Sequence, residues 1–317
     1  MTNPPPALLS FTPWDPATLV AMLVLYGSLA VVSAAVNARR PVAGQAHGDH
    51  PHALRHQVNA WWRLFPFVSV AWLVHPWGPG LLLMLIGVLA GWELDRHRVR
   101  TARLPSRAWC AGLLIWQLGV AGWGAVAQPW TLAAVPLACA VLGGIYLRSR
   151  HTDDLLTLVF ALACAGLVFM ACLPHLPGAN AAAWFFFLMA VTALNDIAQF
   201  VSGKLFGKQK IARRISPNKT WQGLMGGVLA SALVAWALGR WLGLAQTGYL
   251  VGLGLALSLA GFAGDLMFSA AKRRLGLKDF STLLPGHGGI LDRVDSLVLT
   301  APLLYLALRL APPGAAP

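Results

Sequence analysis

Charged residues are scarce in this sequence: they make up 11% of its 317 residues, whereas a soluble domain carries about 25%. This deficit excludes an ordinary soluble domain. Apolar runs long enough to cross a bilayer, about 17 to 25 residues each, account for it. Such runs lie near 17–36, 108–126, 128–147, 156–174, 182–201, 222–243, 248–268 and 293–311, and the segment 58–95 is apolar enough for two more. The sequence therefore predicts an all-α polytopic integral membrane protein with about ten transmembrane helices.

Acidic residues are scarcer than basic ones: 11 Asp and Glu stand against 24 Lys and Arg, which gives a net charge of +13. Such a surplus could indicate nucleic-acid binding. Here, however, the basic residues fall in alternate connections between the predicted helices, at 39–55, 96–107, 148–150, 204–219 and 272–278. Basic loops of membrane proteins stay in the cytoplasm. We therefore expect no nucleic-acid partner, a bacterial inner-membrane location with the N-terminus outside, and anionic membrane lipids as neighbours.

Two further absences narrow the possibilities. The first 16 residues, MTNPPPALLSFTPWDP, lack Lys and Arg, whereas a signal peptide begins with a basic segment. We therefore expect the first apolar run to be a retained helix. Cysteine is rare, and all four residues fall within predicted helices without metal-ligand spacing or a disulfide framework, which favours a packing role. They are Cys110, Cys139, Cys164 and Cys172.

Only five acids follow residue 155, and their positions suggest a shared site. Asp196 and Asp265 lie late in their predicted helices, near the cytoplasmic ends. Asp292 and Asp295 open the last predicted helix from the same side, three residues apart and so on one helical face. Ionisable groups in a span are costly and usually mark function. A local ion pair would explain one acid, but several acids from different helices favour a divalent cation with oxygen ligands, such as Mg²⁺.

Two basic segments lie beside these acids: GKLFGKQKIARRISPNKTW at 203–221 and SAAKRRLGLKD at 269–279. Neither has the glycine frame of a Walker A motif. Basic loops alone are generic for this topology. Next to clustered carboxylates they favour a phosphate-rich, metal-chelated substrate such as a nucleoside triphosphate. The glycines of PGHGG, at 285–289, would let the backbone approach that substrate closely.

The segment 269–295 resembles the signature of the phosphatidate cytidylyltransferases, or CDP-diacylglycerol synthases. The matching residues are Ser269, Lys272, Arg273, Lys278, Asp279, Ser281, Leu284, Pro285, His287, Gly288, Gly289, Ile290, Asp292, Arg293, Val294 and Asp295. A second block, Asp196 with GKLFGK and SPNKTWQG, is similar to the family's other cytoplasmic stretch. The resemblance covers roughly residues 190–300. Upstream, only the multiple predicted spans agree.

The resemblance implies a reaction of CTP with phosphatidate, or a similar lipid phosphate, that gives CDP-diacylglycerol and pyrophosphate. It implies Mg²⁺ as cofactor, and it leaves open a second cation and a homodimer. It implies catalytic roles for Lys272, Arg273, Lys278, His287, Asp292, Arg293 and Asp295; substrate contacts for Asp196, Ser216, Lys219, Thr220, Ser269, Gly288 and Gly289; and metal ligation by Asp265, Asp292 and Asp295.

The chain departs from the family pattern at three positions. Ala271 replaces a larger aliphatic residue, Gln222 stands at a position that is commonly glutamate, and Gln199 stands where relatives carry a small residue. These departures indicate a divergent branch and leave more than one lipid acceptor open. The alternatives are another lipid phosphate or lipid alcohol as acceptor, including a CTP-using lipid kinase, and a non-catalytic scaffold. A transporter is disfavoured, because it would place its acids near the midplane and show repeats.

We interpret the chain as a single membrane domain over 1–317. The range 1–180 holds N-terminal transmembrane helices of uncertain role. The range 181–317 holds the catalytic transmembrane region, with cytoplasmic loops at 202–221 and 269–295.

Overall fold

A computed structural model describes residues 16–38, 62, 65–74, 77–97, 104–122, 141–148, 150–173, 176, 180–281, 283 and 288–311. The elements in chain order are helices α1 (Pro16–Ala38), α2 (Gly78–Asp95), α3 (Leu104–Gly122), α4 (Thr152–Cys172) and α5 (Ala181–Phe206), strands β1 (Lys210–Ala212) and β2 (Ser216–Thr220), and helices α6 (Trp221–Trp241), α7 (Thr247–Arg274), α8 (Leu291–Val294) and α9 (Leu297–Arg309). Shorter helical stretches occupy 65–73 and 141–148.

The helical, apolar character predicted from composition is confirmed. Five of the described helices, α2 and α4 to α7, are long and apolar enough to cross a membrane, so the chain is a membrane protein built of α-helices. The predicted total of about ten spans is not confirmed. One reason is that the run near 128–147 and the start of the segment 58–95 lie partly outside the described residues.

The last predicted helix begins differently from the expectation of one continuous helix over 293–311. The regular helix is interrupted at Asp295 and Ser296, between α8 and α9. Both residues keep helical backbone dihedrals. The one-turn spacing of Asp292 and Asp295 therefore survives the interruption.

Helix α9 lies between two groups of helices. It packs against α4, which itself packs against α2 and α3, and it also packs against α7 and α5. In the second group, α5 packs on α6 and α6 on α7. A Cβ on Gly223 of α6 would lie 2.8 Å from the carbonyl oxygen of Gln199 and 3.1 Å from Cα of Gly203. Small residues therefore allow α5 and α6 to pack closely.

The predicted loop 202–221 contains a β-hairpin, which the sequence did not predict. Strands β1 and β2 pair antiparallel, with Lys210 opposite Thr220 and Ala212 opposite Ser216. The amide oxygen of Gln222 accepts hydrogen bonds from the backbone nitrogens of Lys208 and Gln209, at 3.1 and 3.2 Å. A glutamate oxygen could accept both bonds, so this departure from the family pattern conserves the local structure.

The described cysteines, Cys110, Cys164 and Cys172, lie in helices α3 and α4 and are not joined to one another by disulfides. Cys164 donates to the amide oxygen of Gln117 at 3.6 Å inside the helix bundle. The structure thus agrees with a packing role for them, while Cys139 lies outside the described residues.

Candidate active site

Close backbone packing brings α7 to the start of α9. A Cβ on Gly264 would lie 2.4 Å from the carbonyl oxygen of Asp295, so only glycine fits at this contact. Because Asp265 follows Gly264, the same contact brings the Asp265 and Asp295 carboxylates close enough to interact electrostatically. Asp295 is buried, and its Oδ1 accepts the backbone N–H of Ser296 at 2.8 Å.

Helix α5 contributes the third carboxylate, Asp196. Its Oδ2 accepts a hydrogen bond from the Ser296 hydroxyl at 3.0 Å, and its Oδ1 accepts one from the Asn195 amide at 3.3 Å. Asp196 also interacts electrostatically with Asp265 and Lys219. Three segments distant in sequence thus deliver acids to one place, as the sequence predicted.

Asn195, next to Asp196 in α5, connects this cluster to two other helices. It is 1% exposed, and its amide oxygen accepts hydrogen bonds from Ser231 of α6 at 3.1 Å and from Ser258 of α7 at 2.6 Å. Buried polar groups require such partners, because an unmet hydrogen bond away from water is costly. The network fixes three helices relative to Asp196.

Two Lys–Asp pairs flank the acidic cluster. In the first, Lys219 Nζ at the end of β2 lies 2.5 Å from Asp265 Oδ2 on α7. Lys219 also lies 4.4 Å from the centroid of the Phe262 ring, and the hydroxyl of Ser269 donates to Asp265 Oδ1 at 3.2 Å. The Asp265 side chain is 34% exposed, and the Lys219 side chain is 13% exposed. We call this the open pair.

In the second pair, Lys272 Nζ lies 2.6 Å from Asp292 Oδ1, and the two side chains are 10% and 4% exposed. Asp292 Oδ2 also accepts the backbone N–H groups of Phe280 and Gly289, at 3.0 and 2.8 Å. We call this the closed pair. Its carboxylate has a structural role that the sequence did not predict: it fixes the segment before α8.

Glu93 is the charged residue of this site that sequence reasoning missed. Although it belongs to α2, in the N-terminal half, it is fully buried against the signature segment. It accepts hydrogen bonds from the Ser281 hydroxyl and the Ile290 backbone nitrogen, both at 2.6 Å, and from the Leu291 backbone nitrogen at 3.1 Å. A carboxylate near the end of an apolar helix was a usable signal, the same one that selected Asp196.

The two described glycines of the PGHGG motif have packing reasons of their own. A Cβ on Gly288, which has a φ of +79°, would lie 2.6 Å from Asp292 Oδ2. A Cβ on Gly289 would lie 2.5 Å from Glu93 Oε1. The space beside these glycines is therefore occupied by protein carboxylates. Their contact with substrate stays a prediction.

Several predicted site residues have structural partners instead of joining the cluster. Arg273 is exposed and donates to the carbonyl oxygens of Ile215 and Leu277, at 3.1 and 3.0 Å, which ties α7 to the hairpin. Thr220 caps α6 by accepting the backbone N–H of Gly223 at 3.1 Å. Ser216 lies in β2, opposite Ala212. Lys278 is exposed, and His287 lies outside the described residues.

A cavity of about 300 Å³ opens next to the acidic cluster. Its charged end is lined by Asp196, Asp292, Arg293 and Asp295. Its other walls are mainly apolar side chains of the 65–73 stretch, α2 and α5, including Phe67, Leu82, Leu85, Ile86, Met189 and Ile197. The cavity suits an amphiphile with a polar head and an apolar body. Three of its four charged lining residues are acidic, so an anionic head would need a cation between it and the carboxylates.

The acidic cluster has the donor chemistry for a hard cation. Among the described residues, no three His, Cys, Asp or Glu side chains are spaced to hold a metal by themselves. Mg²⁺ seldom uses such an all-protein cage: it is usually held by one or two carboxylates together with substrate phosphates and water. The carboxylates present therefore fit Mg²⁺ that arrives with a nucleotide.

Comparison with known proteins identifies the family. A family model described as the cytidylyltransferase family matches residues 55–311, most of the chain. The protein therefore belongs to the cytidylyltransferase family.

Two of the similar proteins described below are named phosphatidate cytidylyltransferase. The chain is 50% identical over 121 residues to the phosphatidate cytidylyltransferase of Brucella suis biovar 1 (strain 1330), covering 38% of this chain and 44% of that protein. It is 42% identical over 123 residues to the phosphatidate cytidylyltransferase of Staphylococcus epidermidis (strain ATCC 35984), covering 38% and 47%. It is also 42% identical over 151 residues to the uncharacterized protein YnbB of Escherichia coli (strain K12), covering 48% and 50%. The chain thus spans about half the length of the curated relatives it matches.

Proposed function

We propose that this protein is a phosphatidate cytidylyltransferase, which joins CTP and phosphatidate to give CDP-diacylglycerol and pyrophosphate. The observation that carries the proposal is the cavity with apolar walls and a charged end formed by Asp196, Asp292, Arg293 and Asp295. The acyl chains of a lipid phosphate match the apolar walls, and its phosphate would bind at the charged end through Arg293 and a cation held by the carboxylates. Family membership and the names of the Brucella and Staphylococcus relatives support the same reaction.

The reaction needs no nucleophile from the protein. A phosphate oxygen of the lipid attacks the α-phosphorus of CTP, a new P–O–P bond forms, and the bond from the α-phosphorus to the bridging oxygen breaks. Pyrophosphate leaves with that oxygen. The protein aligns the two phosphates and offsets the charge that develops between them. Lys219, Lys272 and Arg293 are the cations beside the cluster that would do so.

Mg²⁺ would be held by Asp265 and Asp295, with Asp196 nearby and phosphate oxygens completing its coordination. When bound, it supplies charge neutralisation at the triphosphate. In this structure the Lys219 ammonium group forms an ion pair with Asp265. We propose that it leaves Asp265 and binds a phosphate of CTP when the nucleotide enters the site. Asp292 is committed to Lys272 and two backbone N–H groups, which makes it the weaker of the predicted ligands.

The site would lie at the cytoplasmic face of a bacterial inner membrane, where CTP is available. The exposed basic residues of the hairpin region support this orientation, because basic segments stay on the cytoplasmic side. They include Lys204, Lys208, Lys210, Arg213 and Arg214. A homodimer stays a hypothesis, which the mass of the purified protein in detergent would test.

The test is an assay of purified protein in detergent with labelled CTP, Mg²⁺ and phosphatidate. We expect labelled CDP-diacylglycerol together with pyrophosphate. A second arm replaces phosphatidate by diacylglycerol or by another lipid phosphate. Product only in that arm would reassign the acceptor, and no product in either arm, under conditions where the Brucella enzyme works, would overturn the proposal.

A further inference from the structure

We propose that Glu93 is a positioning residue of the active site, so that the N-terminal half of the chain takes part in catalysis through α2. The inference rests on the proposed function for its assay. It concerns a residue more than 180 positions away from the segment that it holds, and outside every motif the sequence singled out.

The first observation is the completeness of the Glu93 contacts. Its carboxylate is fully buried and accepts three hydrogen bonds, all from Ser281, Ile290 and Leu291. Hydrogen bonds to a charged acceptor are stronger than neutral ones. The backbone that enters α8 is therefore fixed to α2 immediately before Asp292 and Arg293.

The second observation is that two carboxylates hold this backbone from two sides. Asp292 accepts the N–H of Gly289, and Glu93 accepts the N–H groups of the next two residues. Neither Gly288 nor Gly289 has room for a Cβ, because Asp292 and Glu93 respectively fill that space. The position of Asp292, and with it the direction of Lys272, depends on the Glu93 contact.

A third contact joins α2 to the same segment. The Nε2 atom of His97, which follows α2, forms a hydrogen bond with the carbonyl oxygen of Phe280. Phe280 is the residue whose own N–H binds Asp292. The segment on both sides of the closed pair is thus attached to one helix end of the N-terminal half.

The attachment of α2 to the signature segment also affects the cavity, because both elements line it. Leu82, Leu85, Ile86 and Leu89 of α2 line its apolar walls, and Asp292 and Arg293 line its charged end. Glu93 lies on the same helix and sets the distance between these two parts. A displacement of about 1 Å at a reacting group can cost about 100-fold in rate.

The experiment measures kcat and KM for CTP in wild-type protein and in the variants E93Q and S281A, with D95N as the matched control on the exposed face of α2. E93Q keeps the size of the side chain but presents an amide to the Leu291 N–H. We expect kcat to fall about 10- to 100-fold in E93Q and about fivefold in S281A. KM for CTP should stay within about threefold, because the changed step is alignment. D95N should stay within about twofold of wild type.

A compensating pair tests the contact itself. G289A places a methyl group against the Glu93 carboxylate, and we expect a loss of about 100-fold. E93D shortens the acid by one methylene, so the double variant E93D/G289A should be at least about fivefold more active than G289A alone. If the loss of activity in E93D/G289A equals the product of the losses in E93D and G289A, the proposed contact between the two residues is contradicted.

The outcomes separate the two proposals. If wild-type protein forms no CDP-diacylglycerol, the proposed function fails. If wild-type protein is active and both E93Q and S281A match it in kcat, the role of Glu93 is overturned. Thermal unfolding in detergent checks that each variant is folded, and S281A removes a single hydroxyl and so keeps the test valid if E93Q does not fold.

Discussion

The open pair, Lys219–Asp265, and the closed pair, Lys272–Asp292, use the same two residue types for different purposes. Asp265 is 34% exposed and, besides its ion pair with Lys219, accepts a hydrogen bond from the hydroxyl of Ser269. Asp292 is 4% exposed and also binds two backbone N–H groups. Because water reaches the carboxylate of the open pair, that pair contributes less to stability than a fully buried pair, which is costly to break. The open pair is therefore suited to exchange partners with a ligand, and the closed pair to hold the site together.

The largest effect is expected for D292N, which breaks the closed pair. It leaves Lys272 buried without its counter-charge, and the single amide oxygen of asparagine can accept from Lys272 or from the two backbone N–H groups but not from both sets. Activity should fall about 1000-fold or more. The midpoint of thermal unfolding in detergent should also fall, because an unpaired buried charge costs about 3–5 kcal/mol. If D292N is inactive but unfolds at the same temperature as wild type, the closed pair does not stabilise the structure as proposed.

D265N breaks the open pair and should separate activity from stability. We expect activity to fall about 100- to 1000-fold, while the free energy of unfolding falls by less than in D292N, because Asp265 is partly solvated even though the Lys219 side chain that it leaves unpaired is only 13% exposed. The same assays as for D292N apply. Near-normal activity in D265N would show that Asp265 is not a metal ligand, and a large loss of stability would show that the two pairs do not differ as described.

S296A tests the role of Asp196, which belongs to neither Lys–Asp pair. The substitution removes the hydrogen bond from the Ser296 hydroxyl to Asp196 and leaves both Lys–Asp pairs intact. Losing a partner that orients a ligand typically costs about 10- to 100-fold, and we expect the lower end, since Asn195 still donates to Asp196. An unchanged kcat would place Asp196 outside the working site.

The smallest effect is expected for Q222E, which restores the residue common in the family. The glutamate oxygens can accept the same two backbone N–H groups of the hairpin that carries Lys219, so kcat should stay within about twofold of wild type. Q222A is the control: it removes the acceptor, and we expect about a fivefold loss. Equal activity in both variants would show that the hairpin does not position the open pair.

The positions of the acids could be predicted, because the ends of apolar helices can be recognised from the local sequence. The placement of Asp196, Asp265 and Asp295 near the ends of apolar runs predicted that they converge, and the structure brings them together. The roles of Arg273 and Thr220 could not be read in this way. A basic side chain or a hydroxyl in a signature binds either substrate or backbone, and only its neighbours decide which.

The sequence alone determined the membrane character of the chain, since the lack of charge and the length of the apolar runs leave little choice. It also determined the family, through fixed spacing of residues in one segment. The tertiary structure alone decided that Glu93 belongs to the site, that the two Lys–Asp pairs differ, and that protein carboxylates fill the space beside Gly288 and Gly289. These features depend on contacts between residues far apart in the chain, and the packing of whole helices, which no local pattern encodes, sets such contacts.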